Sequence, residues 1–127
     1  KEGKPVAPLR GELKDYAGGG SDFMFGPLSF LLVYSDHAVA YVFTPVDHMN
    51  SKCGIYWMVR GDAEEGKDYD VDELTWLWDI TTHADKTIIV DNWKGVRSRF
   101  YKPGPFSAQE SLERDWLEWI LQELAGT

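Results

Sequence analysis

The spacing of hydrophobic residues changes partway along the chain, from a two-residue alternation to a helical repeat. Three β-rich runs come first, at residues 30–34, 38–44 and 53–60, and short polar segments at 35–37 and 45–51 separate them. This pattern predicts consecutive antiparallel strands. Large side chains occupy both faces of the third run. This indicates either a sheet covered on both sides or a sheet covered on one side with a cavity on the other.

Helical spacing begins after Asp70, a candidate capping residue, and Leu74 and Trp78 follow at helical steps. The same stretch also alternates as a strand would, so the pattern leaves a strand open there. A second start signal lies at Thr82, which is placed to cap a helix with Asp85 at its third position. The spacing therefore predicts a separate helix beginning near Thr82.

A closing helix is the clearest predicted element. The Pro-Gly-Pro sequence at 103–105 breaks the chain, and Ser107 and Glu110 then have the spacing of a capping box. Apolar residues follow at three- and four-residue steps: Leu112, Trp116, Trp119, Ile120 and Leu124. Such a stripe needs an apolar surface to cover it, and the predicted strands supply one. We therefore predict an α+β fold, with a curved antiparallel sheet packed on a long C-terminal helix.

Glycine and proline recur so often in the first 28 residues that no regular element of normal length is expected there. The triple glycine at 18–20 lacks both the spacing of a dinucleotide fingerprint and the Lys-Ser/Thr of a phosphate loop. We interpret this segment as irregular chain with a flexible connector.

Composition limits the possible partners. The 127 residues include 13 Lys and Arg against 21 Asp and Glu, a formal charge of −8. We expect one domain over residues 1–127, and the acidity disfavours nucleic acid and anionic membranes as partners. Apolar stretches fall far short of the roughly 20 residues that span a bilayer, and Cys53 is the only cysteine. A soluble cytoplasmic protein is the expectation.

Few residues have the spacing that catalytic chemistry requires. His37 and His48 lie in turn-like segments, where we expect exposed imidazoles. His83 is two residues from Asp85, whereas one helix face aims two ligands at a metal only at i, i+3 or i, i+4. Cys53 begins a strand and is expected to be a buried, inert thiol.

Asp85 is the more interesting carboxylate. Helical spacing places it on the same face as Ile88 and Ile89, which we expect to point inward. A carboxylate on an apolar face is costly unless it is capped, paired or bound to a cation. Helix capping through backbone N–H groups is the alternative to cation binding, while Asp91, on another face, is interpreted as a solvated acid.

Several segments together resemble the end of a ring-hydroxylating Rieske oxygenase α-subunit. The resemblance covers nearly the whole chain, and it rests on the order of the motifs more than on any one of them. The segments are Trp-Asp-Ile-Thr-Thr-His-Ala-Asp-Lys at 78–86, residues 88–101, Pro-Gly-Pro at 103–105, the Trp-rich final helix, and the shorter stretches 7–9, 25–29, 34–39 and 65–70.

Members of this family carry a Rieske [2Fe–2S] domain followed by a catalytic domain of the helix-grip (START/Bet v 1-like) type. A mononuclear Fe(II) in the catalytic domain activates O₂ and is held by two histidines and one carboxylate. The resemblance implies that Asp85 is this carboxylate. It also implies an oxidoreductase, a mono- or dioxygenase of aromatic compound catabolism, that hydroxylates or demethylates an apolar or aromatic substrate with electrons from a reductase or ferredoxin.

The sequence departs from the family pattern in several places. It contains no Cys-x-His and no His-x-x-x-x-His pair, it begins at Lys1, and Trp93 stands where the family often has Gln. We therefore expect the C-terminal part of a catalytic domain, with the Rieske domain absent, which by itself binds neither iron nor cluster and is inactive.

Two other functions stay open at this point. One alternative is a freestanding helix-grip module that binds a hydrophobic small ligand without catalysis. The other is a structural module whose exposed apolar surface drives assembly into a homo-oligomer. Asp85 pointing into a cavity favours the oxygenase, and a surface Asp85 capped by backbone N–H groups favours the binding module.

Overall fold

The computed structural model describes residues 3–126 and shows a four-stranded sheet and two α-helices. The elements are β1 (Gly20–Met24), β2 (Ser29–Tyr34), β3 (Ala38–Pro45), β4 (Ser51–Met58), α1 (Val71–Val96), a 3₁₀ turn (Ala108–Glu110) and α2 (Ser111–Ala125). The strands are antiparallel, and neighbours in sequence are neighbours in the sheet. The predicted α+β class is confirmed. No helix in the described part is long and apolar enough to cross a membrane.

The three predicted strands are confirmed with small shifts at their ends. β2 and β3 join through the tight turn at 35–37, and Val33 pairs with Ala38 across it. β4 begins at Ser51 and ends at Met58, so it starts and stops two residues earlier than predicted. Its partner is β3, in a register that places Val39 opposite Trp57.

β1 corrects the prediction of irregular chain in the first 28 residues. The strand pairs with β2 along its whole length, from Gly20 opposite Tyr34 to Met24 opposite Phe30. All five of its residues are exposed, so no apolar alternation marks it in the sequence. Gly20 is required by a close approach, since a Cβ there would lie 2.6 Å from the Cε1 atom of Tyr34.

α1 is one continuous helix of 26 residues, so the predicted second helix beginning near Thr82 is wrong. Asp70 does cap the helix, because its Oδ1 accepts the backbone N–H of Glu73 at 3.0 Å. No glycine or proline interrupts the chain until Gly95, and a capping motif cannot start a helix where one already runs. The strand that the pattern left open at 74–78 is excluded by the same finding.

The closing helix is confirmed, together with its start signal. The backbone N–H of Ser107 donates to Glu110 Oε2 at 2.7 Å, and that bond lowers the pKa of Glu110. The expected burial of the apolar stripe is not found, since Leu112, Trp119 and Leu124 are exposed. Spacing showed which residues share a face of α2, but it does not show whether anything covers that face.

Contacts divide the chain into two compact units, one running to Thr81 and the other beginning at Thr82, and α1 belongs partly to each. The buried side chains of the described part lie in the first unit: Ala7, Ala38, Val39, Leu74, Trp78 and the polar pair Asp36 and His37. That residues 1–127 form one domain stays a prediction.

The N-terminal segment crosses the β2–β3 turn and is held there by polar contacts. Val6 N–H donates to Asp36 Oδ2 at 2.7 Å, and Arg10 N–H donates to the Ser35 carbonyl at 2.8 Å. The Arg10 guanidinium donates to the Tyr34 carbonyl through two nitrogens, at 2.6 and 3.1 Å. Asp36 therefore connects the N-terminal segment to the turn.

Burial raises the pKa of Asp36, but the Val6 N–H and His37 favour the carboxylate more strongly, so its pKa lies below the usual value. A carboxyl group with a depressed folded pKa stabilises the fold above its unfolded pKa, about 3.9. That stabilisation is lost as the pH falls through the folded pKa. Asp36 thus contributes to acid sensitivity.

We expect Val39→Ala to lower the free energy of unfolding by about 2 kcal/mol, because it removes two methyl groups from a fully buried site at the centre of the sheet. Urea unfolding followed by circular dichroism measures the change. Val46→Ala, at an exposed position just after β3, is the matched control and should cost less than about 0.5 kcal/mol. Equal losses in the two variants would contradict the assignment of the core.

Asp36→Asn should lower the urea midpoint at pH 7 and flatten its fall between pH 5 and pH 2, because the depressed carboxyl pKa is removed. Asp15→Asn, an exposed acid, serves as the control and should leave both quantities unchanged. If the urea midpoint of Asp36→Asn fell as steeply between pH 5 and pH 2 as that of the wild type, other carboxylates would be responsible for the fall.

Candidate functional site

Asp85 lies well inside α1, 14 residues after Val71, and its side chain is exposed. Its carboxylate makes no hydrogen bond or ion pair with any residue in the described range 3–126. Helix capping, the alternative explanation for this residue, is therefore wrong, because α1 begins at Val71 and Asp70 caps it. The structure leaves the oxygens of Asp85 available to a ligand.

The face of α1 around Asp85 is not covered as the sequence predicted. Ile88 and Ile89, expected to point inward, are 66% and 60% exposed. The desolvation cost that first singled out Asp85 does not arise in this structure, since both the carboxylate and its apolar neighbours face solvent. Asp91, interpreted as a solvated acid, is exposed and pairs with Lys94 at 2.8 Å.

A carboxylate oxygen suits Fe(II), so Asp85 fits one position of a two-histidine, one-carboxylate site. Within residues 3–126 no group of three or more His, Cys, Asp or Glu side chains is arranged to hold a metal. In the described part of the chain, Asp85 is thus a suitable oxygen donor that is not grouped with two further metal-binding side chains.

His37 is buried, which corrects the expected exposed imidazole. It is 9% exposed, and its Nδ1 lies 2.9 Å from Asp36 Oδ1 while its Nε2 lies 3.2 Å from Trp78 Nε1. An indole N–H can only donate, so Nε2 accepts and the imidazole proton sits on Nδ1, where it donates to Asp36. Asp36, His37 and Trp78 form what we call the carboxylate–imidazole–indole chain.

Aromatic rings surround the carboxylate–imidazole–indole chain. Tyr34 stacks on His37 with ring centroids 5.1 Å apart and an angle of 16°, and Tyr34 and Tyr41 both contact the ring of Trp78. Burial raises the pKa of the Tyr34 hydroxyl, and Asp22 and Tyr41 add to that rise. The sequence signal for this cluster was an acidic residue beside a histidine in a tight turn, which is typical of exposed turns as well.

The other candidates have no catalytic setting. Cys53 is exposed on β4, so the expected buried thiol is wrong, although partial desolvation raises the pKa of its thiol. Among the described strands, β4 pairs only with β3. Its position at the sheet edge, which no local pattern reveals, leaves the cysteine accessible. His48 is exposed, as expected.

An open groove of about 520 Å³ lies in the first unit, lined by residues 5–8, 66–70 and Glu73. Two of its acids are occupied by backbone donors, since Asp68 accepts the N–H of Glu64 and Asp70 accepts that of Glu73. The groove is open and polar, unlike the enclosed apolar cavity that a module for hydrophobic ligands requires. Its lining includes neither Asp85 nor His37.

Comparisons with known proteins place these observations in a family. The model of the ring hydroxylating alpha subunit (catalytic domain) matches residues 2–126. The glycine betaine monooxygenase oxygenase subunit of Chromohalobacter salexigens is 32% identical over 120 residues, and that of Pseudomonas aeruginosa is 30% identical over 117. These alignments cover 93% and 91% of this chain but 27% of each relative.

The chain thus spans about a quarter of the length of the curated relatives it matches. The family match confirms the resemblance found in the motifs of the sequence, and both relatives are monooxygenases by name. With its α+β fold and a family match over residues 2–126, the chain belongs to the ring-hydroxylating α-subunit family, in the catalytic domain.

Proposed function

We propose that this chain is the C-terminal part of the catalytic domain of a Rieske-type oxygenase α-subunit, in which Asp85 is the carboxylate ligand of the mononuclear iron. The observation that carries the proposal is the family match over residues 2–126, which includes the whole of α1 and with it Asp85. The coverage of 27% of each relative supports a partial catalytic domain.

The iron, when bound, supplies O₂ activation with electrons passed from a Rieske cluster. The part of this chain is to present one anionic oxygen ligand from a rigid helix. Backbone hydrogen bonds along α1 fix the position of the Cα of Asp85, and a ligand on a helix is placed more accurately than one on a loop. The two further protein ligands and the cluster come from residues outside this chain.

The relatives act on glycine betaine by name and are monooxygenases, so we propose monooxygenation of a small organic substrate. Hydroxylation or demethylation of an apolar or aromatic substrate, with a reductase or ferredoxin as electron donor, stays a proposal from the family. A cytoplasmic location likewise stays a proposal.

Exposed apolar side chains support the assembly of this part of the α-subunit with another protein surface. In the second unit they include Ile88, Ile89, Phe100, Leu112 and Leu124. Patches of this kind mark protein contacts when they are contiguous. We propose that further chain of the α-subunit, or a second copy in a homo-oligomer, covers them.

The chain by itself should retain no stoichiometric iron after anaerobic incubation with Fe(II) and desalting, since one carboxylate of three ligands holds the ion too weakly. Iron per chain is counted by colorimetric chelation, for the wild type and Asp85→Asn. Stoichiometric iron in the wild type that is lost in Asp85→Asn would mean that the chain completes its own site, contrary to the proposal of a partial domain.

The role of Asp85 is tested in a grafted subunit, in which this chain replaces the aligned C-terminal quarter of the Pseudomonas aeruginosa oxygenase subunit. Asp85→Asn in the grafted subunit should lower iron retention about tenfold or more. Asp91→Asn removes a carboxylate from the same helix, one that pairs with Lys94, and should stay within about twofold.

Circular dichroism of the grafted subunit checks that each variant is folded before iron is counted. Iron retained by folded Asp85→Asn to the same extent as by the unsubstituted graft would exclude Asp85 as a ligand. Equal loss in Asp91→Asn would point to a general effect of negative charge on α1 and not to a ligand.

A further inference from the structure

A hydrogen bond within the first unit joins the β2–β3 turn to the beginning of α1. Trp78 Nε1 donates to His37 Nε2 at 3.2 Å, and both side chains are buried. An indole N–H can only donate, so Nε2 accepts from it only while that nitrogen carries no proton. The contact therefore depends on the protonation of a histidine, the residue type that ordinarily titrates between about pH 5 and pH 8.

Protonation of His37 would turn the acceptor in this bond into a second donor. The Nε2–H group of the imidazolium and the Nε1–H group of Trp78 would then face each other, and neither can accept. Buried donors without acceptors are costly, so one of the two rings has to move.

The imidazole is held on its other sides, so the indole is the ring that yields. Nδ1 of His37 lies 2.9 Å from Asp36 Oδ1, and Tyr34 stacks on the imidazole face with ring centroids 5.1 Å apart. Both contacts strengthen when the imidazole gains a positive charge, because the first becomes an ion pair and the second a cation–π contact. Protonation thus tightens the turn and opposes only its contact with Trp78.

The acids and phenols beside His37 keep their charges over this range. Burial raises the pKa of Asp36, but the hydrogen bonds from Val6 and His37 outweigh that effect and hold the pKa below its usual value. Asp36 therefore stays a carboxylate. Burial raises the pKa of the Tyr34 hydroxyl, and Asp22 of β1 adds to the rise, so Tyr34 stays neutral.

Two further elements pack beside this cluster. From the N-terminal segment, the Arg10 guanidinium donates to the carbonyl of Tyr34, and an arginine stays charged throughout. From β3, the ring of Tyr41 contacts the ring of Trp78. Among these residue types, only histidine ordinarily changes its charge between about pH 5 and pH 8.

We propose that His37 makes the contact between the β2–β3 turn and the start of α1 sensitive to pH. Its protonation breaks the bond from Trp78 and strengthens the pairing with Asp36. Acidification then loosens the part of α1 that belongs to the first unit, while the bond from Val6 to Asp36 keeps the N-terminal segment on the turn. The proposal does not rest on Asp85 as an iron ligand.

Nuclear magnetic resonance of the full chain tests the proposal between about pH 5 and pH 8. The Cε1–H signal of His37 reports its protonation, and the indole N–H signal of Trp78 reports the bond. The two signals are assigned by their loss in His37→Gln and Trp78→Phe. Both should move in one transition with the same midpoint. An indole signal that stays constant while His37 titrates, or a His37 that does not titrate in this range, would overturn the proposal.

Two glutamine variants separate His37 from other titrating groups. His37→Gln keeps an acceptor at the end of its side chain and cannot titrate, so its indole signal for Trp78 should be constant with pH. His48→Gln removes an exposed histidine between β3 and β4 and should leave the transition unchanged. The same transition in His37→Gln would assign it to another group, contrary to the proposal.

Two further substitutions should move the midpoint of His37 in opposite directions. Trp78→Phe removes a donor that bonds only the unprotonated nitrogen, so the midpoint should rise by about 0.7 of a pH unit, or about fivefold in proton affinity. Asp36→Asn removes the charge that favours the imidazolium, so the midpoint should fall by about one unit or more. Dispersed amide signals show that each variant is folded. A midpoint that either substitution left unchanged would contradict the proposed exchange of partners.

Discussion

Asp36 is a nearly fully buried carboxylate, and the arrangement of the first unit depends on the fixed donors that satisfy it. A buried charge without hydrogen bonds is very costly, so its two oxygens require nearby N–H groups. Val6 supplies one and His37 the other. These bonds connect the N-terminal segment and the β2–β3 turn to one carboxylate. Trp78 connects the start of α1 to the same network through its bond to His37.

α1 begins beside this network and continues without a break to the proposed ligand. Asp70 caps its start, Trp78 donates its indole N–H to His37 of the turn, and no helix breaker occurs before Gly95. Asp85 is therefore a carboxylate on a rigid helix with free oxygens. That arrangement suits a residue contributed to a metal site whose other ligands lie outside the chain, as family membership and the coverage of the relatives support.

Sequence reasoning succeeded where a local pattern has one structural meaning. The central strands, the cap at Asp70 and the capping box at Ser107 all appear as predicted. It failed where the meaning depends on distant residues. Thr82 has the chemistry of a cap but lies inside α1, and β1 has no apolar alternation because its residues are exposed. Pairing with β2 makes it a strand, and pairing is not a local property.

The burial of single side chains shows most clearly the difference between what a local pattern determines and what depends on distant residues. The sequence by itself determined the α+β class, because spacing and capping act between residues a few positions apart. Its motifs resembled the family to which the chain belongs, and that resemblance pointed to Asp85 as the carboxylate to examine. Only the tertiary structure decided that His37 is buried and Cys53 exposed. His37 is covered because Trp78, 41 residues away, reaches its ring, and Cys53 is exposed because β4 lies at the edge of the sheet. Exposure depends on which distant segments come to lie over a side chain, and no local pattern encodes that.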